Sequence, residues 1–152
     1  MKLPPNPLVF EILEATNKAR SKDEKIELLR KYESWALKDV LRATYDPKVE
    51  FTIPDGKPPY IPNKIESIPS NLLRKNVDFQ YIVKGGTGDK MPAFKREKIY
   101  IGILESIHPE DAEVVTNMVN KKKLKGITEK VVKEAFPNLI AWNQNVLQNQ
   151  KQ

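Results

Sequence analysis

The chain has 152 residues, 39% apolar and 30% charged, with a formal net charge of +6, which fits one domain with a modest core and a solvated surface. No cysteine and a single histidine exclude disulfides, thiolate chemistry and multi-histidine metal sites. No stretch approaches the roughly 18 apolar residues of a membrane span, so no membrane partner is expected, and the charge favours polyanions.

Three prolines in Met1–Pro7 predict an extended lead-in. From Leu8 the pattern is helical, with Leu8, Ile12, Ala15 and Ala19 on one face and Val9 and Leu13 beside them. Ser21 with Glu24 three positions on has capping-box spacing and opens a second helix carrying Ile26, Leu28, Leu29 and Tyr32. Ser34 caps a third, with Leu37, Val40, Leu41 and Tyr45 inward and Asp46-Pro47 as its stop. Trp35 is expected in the core or at a seam.

Val49, Phe51 and Ile53 alternate with polar residues as a short strand would. From Pro47 to Pro69 lie six of the twelve prolines, which predicts an extended strap over the surface. Its PPYIP run reads either as a recognition segment for a partner or as anchors, Tyr60 and Ile61, that pin the strap to its own domain. Ser70 starts a short helix with Leu72, Leu73, Val77 and Tyr81 on one side, while Phe79, Tyr81 and Val83, alternating with Gln80 and Ile82, suit either its last turns or a strand. The loop KGGTGDK follows. It lacks the G-x-x-x-x-G-K-[ST] spacing of a phosphate loop, so no nucleotide site is expected.

Pro92 suits the first turn of a helix whose apolar residues, Phe94, Ile99, Tyr100, Ile101, Ile103, Leu104 and Ile107, predict a central element. His108-Pro109 starts the next, with Glu110 and Asp111 favourable to the helix dipole and Ala112, Val115, Met118 and Val119 buried. A lysine cluster and Gly126 close it. Thr128 caps a helix bearing Val131, Val132, Ala135 and Phe136, which Pro137 ends. The fold expected is mainly α: a compact bundle of five to six short helices with the strap and at most a small two-stranded β element. Residues 1–152 form one domain, divided into N-terminal helices (1–46), strap (47–69), helical core (70–140) and tail (141–152).

His108 is expected to cap or pack, because no nucleophile or second histidine accompanies it. No catalytic residue, cofactor or metal site is read from the chain, which is expected to be no enzyme. The functional expectation falls on Lys121, Lys122, Lys123, Lys125 and Lys130 at a helix–turn–helix junction, with Lys95 and Arg96 upstream. Lysines without Arg, Asn or Gln on the second helix suit DNA or RNA backbone rather than base reading. The alternative is a structural or protein-docking module that uses Tyr60 and Trp142. Oligomeric state is not encoded in any motif.

The segments LRKYES-x-ALKDVLRATYDP, IPDGKPPYIPN, GILESIHPEDAEVV and KGITEKVVKEAFPNLI together resemble a family of small proteins from contractile-tailed bacteriophages, notably those infecting marine cyanobacteria. The resemblance spans roughly Val9 to Ile140. The family has no assigned activity, so no site residue carries over. The resemblance implies a phage protein made in the host bacterial cytoplasm, with the virion as a further location and a phage or host protein as a further partner.

Overall fold

The computed structural model describes residues 3–54, 56, 58–64 and 72–139. Local signals open most of its helices. Ser21 accepts the Glu24 N–H at 3.2 Å and starts α2 (Lys22–Lys31). Ser34 accepts the Leu37 N–H at 3.1 Å and starts α3 (Trp35–Tyr45). Thr128 accepts the Val131 N–H at 3.3 Å and starts α7 (Glu129–Ala135). The expected capping box is only half formed, because Glu24 accepts from the Arg20 N–H, one residue before the cap. The first helix, α1 (Val9–Lys18), has Leu8 at its cap position, so its first-turn donors look elsewhere. Leu8 N–H donates to Glu11, and Phe10 N–H donates to Asp111 across the fold at 2.9 Å.

The hub is α6 (Pro109–Val119), which packs against α1, α3 and α5 (Ala93–Ser106). Its Ala112 and Thr116 are small and buried, which lets three neighbours approach. This corrects the expectation that α5 is central. The stripe on α5 is buried only from Tyr100 through Ile103, Leu104 and the following Ile107. Phe94, in its first turn, is 65% exposed, and Ala93 and Lys95 on either side of it are exposed as well. Helix α7 packs on α2, so the last helix closes against the second.

Between the N-terminal helices and α5 the chain is less regular. Helix α4 (Leu72–Lys75) continues into a 3-10 helix over Asn76–Tyr81. A 3-10 helix repeats every three residues, so Asn76, Phe79 and Ile82 are buried while Val77 is 61% exposed. The α-helical spacing that assigned Val77 to the inside is thereby overturned. Among the described residues the β element reduces to one antiparallel bridge between Phe51 and Val83. Thr52 N–H donates to the Ile82 carbonyl and Lys84 N–H to that of Glu50, both at 2.8 Å. The glycine loop folds tightly beneath it. A Cβ on Gly88 would overlap the Tyr81 backbone, so only glycine permits the approach. Asp89 accepts the Gly85 N–H, a donor that a phosphate loop would leave open.

The strap is anchored on α5 by Glu105, which accepts from the Ile61 N–H through its carboxylate and from Asn63 through its carbonyl, both at 2.8 Å. The Ile61 side chain is 80% exposed, so it anchors through its backbone alone. Ser70 lies outside the described residues. No helix among the described residues is long and apolar enough to cross a membrane.

Candidate functional site

The lysine cluster begins where α6 ends. Asn120 is the cap, and Lys121 takes a left-handed φ of 57°. Lys122 N–H reaches back to the Asn117 carbonyl at 2.9 Å and Lys121 N–H to that of Met118 at 3.0 Å, the two bonds of a Schellman closure. The closing residue is therefore Lys121 rather than Gly126, which is also left-handed but sits five positions on. The left-handed turn sends the Lys121 side chain inward. Its Nζ donates to the carbonyls of Ala43 and Asp46 at the carboxyl end of α3, the latter at 3.0 Å, and lies 5.7 Å from the centre of the Phe51 ring. Burial lowers its pKa, opposed by Asp46 and Glu50. Lys121 is thus withdrawn from the cationic edge and serves as a tertiary cap for α3.

The rest of the segment forms a loop of nine residues, Asn120–Thr128, before α7 begins. A DNA-reading helix–turn–helix uses a turn of about three to four residues. The expected helix–turn–helix edge is therefore a loop edge. It is held from beneath at several points. Asn120 exchanges hydrogen bonds with the backbone of Gly56, at 2.7 and 3.1 Å. The Tyr45 hydroxyl accepts from Leu124 N–H at 2.9 Å and donates to the Ile127 carbonyl at 2.5 Å. Lys25 of α2 donates to the Gly126 carbonyl at 2.6 Å. Ile127 is fully packed in the core.

On this fixed loop Lys122, Lys123 and Lys125 are exposed, as is Lys130 in the first turn of α7. Among the described residues none of the four has an acidic partner, whereas Lys133 pairs with Glu129 at 2.7 Å. Lys95 is exposed at the start of α5. Arg96 is half-buried and donates to the carbonyls of Gly88 and Met91, at 3.2 and 2.7 Å, so it fastens the glycine loop to α5. The structure thus brings Lys122, Lys123, Lys125 and Lys130 into one edge, keeps Lys95 outward on a different element, and removes Lys121 and Arg96. Tyr60 is half-buried against the chain's own core, near Tyr100. Trp142 lies outside the described residues.

Two features were invisible to pattern reading, the burial of Asp111 and the exposure of Trp35, whereas the expected role of His108 is seen. His108 does cap α6, its Nδ1 accepting the Glu110 N–H at 3.0 Å while its ring lies 4.6 Å from that of Phe10. Asp111, however, is not a surface charge. It is fully buried, with one oxygen holding Phe10 N–H and Oδ2 without a hydrogen-bond partner. Burial pushes its pKa up to about 6, against the Phe10 hydrogen bond and with help from Glu11 and Glu110. Trp35 is 75% exposed and lies under Lys38, so it belongs to neither core nor seam. Among the described residues no cluster of His, Asp and Glu could hold a metal ion.

No curated protein matches the chain. The model of a family of unknown function, DUF6433, matches residues 12–125, from within α1 to the loop that carries the exposed lysines. The chain belongs to the DUF6433 family.

Proposed function

We propose that this protein is a non-enzymatic phage accessory protein that binds nucleic-acid backbone through the 120–130 edge, in the cytoplasm of an infected bacterium. The observation that carries the reading is the set of exposed lysines, without acidic partners among the described residues, on a loop fixed by Tyr45, Lys25 and Asn120. A fixed loop presents its charges without first losing loop entropy, and ammonium groups act on phosphates as point charges. The phage setting is supported by the sequence resemblance. The non-enzymatic reading is supported by the sole histidine, whose ring nitrogen is engaged in capping α6.

The test is fluorescence polarisation with labelled duplex across a salt series. Replacing Lys122, Lys123 and Lys125 with glutamine should make the log–log salt slope shallower by roughly 2 to 3, about 0.9 per lost phosphate contact. Wild-type binding with no salt slope, or a triple variant with an unchanged slope, would remove the reading. The second reading, a structural or docking module, is favoured by the exposed Trp35 and Val77.

A further inference from the structure

A second surface lies apart from the lysine edge. Trp35 and Val77, both largely exposed, line one open groove of about 740 Å³ together with Val49, Phe51, Phe79 and Val83. Two large apolar groups in water at the mouth of an apolar groove mark an interaction face rather than scattered surface hydrophobes. What kind of partner fits is decided by charge. Lys38, which lies over the indole, pairs with Glu33 at 3.1 Å. Arg42 in the groove wall lies 3.7 Å from Asp46, and Lys84 lies 3.3 Å from Glu50. The remaining wall carboxylate, Asp39, accepts from the Asn76 amide at 2.9 Å. Three cations therefore meet their own anions, and the face is close to neutral on a chain of net charge +6.

A polyanion or a strongly acidic protein gains nothing at such a face and everything at the lysine loop. The opposite holds for a second copy. Two chains of net charge +6 repel over most of their surfaces, and a neutral apolar face is where they can meet. A two-fold contact also requires one patch to carry both the projection and the recess. This face has the projecting indole of Trp35 beside a groove able to receive an aromatic ring. We propose that the Trp35 groove is a homodimer face, in which the indole of each copy enters the groove of the other. The proposal does not depend on nucleic-acid binding.

Sedimentation equilibrium on the full chain, from low micromolar to near-millimolar concentration, tests it. A reversible monomer–dimer equilibrium is expected. Added salt should hold or tighten it, since screening relieves the mutual repulsion. That is opposite in sign to the salt response of polyanion binding. Trp35→Ala should weaken dimerisation by about thirty-fold or more, as loss of a central aromatic anchor does, and Val77→Glu should also weaken it. Phe94→Ala, equally exposed but outside the groove, should leave it unchanged. All three side chains are exposed, so circular dichroism should stay native. A chain that is monomeric throughout overturns the proposal and leaves the groove to a different protein or to the chain's own remaining residues. So does a dimer indifferent to Trp35→Ala and Val77→Glu, or one that Phe94→Ala dissolves equally.

Discussion

Lys121 holds a backbone conformation that costs a non-glycine residue about 1–2 kcal/mol. Its ammonium group offsets that cost by donating to carbonyls at the end of α3, where backbone acceptors lack intrahelical partners. Lys121→Met keeps the stem beside Phe51 and removes the donors, and should cost about 1–3 kcal/mol. Lys122→Met, one residue on and exposed, should stay within about 0.5 kcal/mol. Urea unfolding of the two variants checks this, and equal losses would show that the ammonium group is not holding α3. In the sequence the lysines from 121 to 125 look alike. What distinguishes the first is a backbone turn that forms only once α6 has ended, so nothing local marks it.

Among the elements, the loop between α6 and α7 owes its shape to Tyr45 more than to its own residues. One hydroxyl spans it, accepting at Leu124 and donating at Ile127. Tyr45→Phe should therefore speed amide exchange at Leu124 and cost about 1 kcal/mol of stability. If the lysine edge binds polyanions, affinity should fall by roughly two- to ten-fold through lost order while the salt slope is kept. A changed slope would mean that the loop charges themselves had moved. The elements were legible wherever a cap sits beside its helix, as with Ser21, Ser34, Thr128 and His108-Pro109. They were illegible where the period changed. Val77 fits an α-helical face by spacing, yet the segment winds at three residues per turn and turns it outward. Helix α5 looked central because its stripe is wide, whereas burial followed the small residues of α6.

For the molecule as a whole, pH enters stability among the described carboxylates through Asp111 most of all, with Asp39 raised by burial in the same direction. Asp111 has a folded pKa near 6, above its ordinary value of 3.8, so the folded state binds its proton more tightly. The stabilisation from that proton is complete below about pH 4 and is lost as pH rises through 6. The rise from 3.8 to about 6 corresponds to about 3 kcal/mol, which the positive end of the α6 dipole reduces. Asp111→Asn keeps an acceptor for the Phe10 N–H and removes the titration. The stability gap between variant and wild type should grow in the variant's favour by about 2 kcal/mol between pH 4.5 and 7.5, by denaturant unfolding. A constant gap would mean that Asp111 titrates normally.

At this scale the mainly helical class was legible in the sequence, because it follows from local periodicity. The candidate edge was legible as a cluster and not as a geometry. The groove at Trp35 was not legible, since a tryptophan opening an amphipathic helix reads as core until the neighbouring residues are placed.

The pairing of α2 with α7 has a consequence in time. Arg30 donates to the carbonyls of Glu134 and Ala135, and Lys25 to that of Gly126, so α2 finds these partners about a hundred residues later. Phe10 likewise waits for Asp111. A ribosome adding about 5–20 residues per second leaves α2 without α7 for roughly 5–20 s. The N-terminal helices emerge early but can dock fully only when nearly all of the described chain has been made. Contacts this distant in sequence also slow refolding of the finished chain relative to helical bundles built from neighbours.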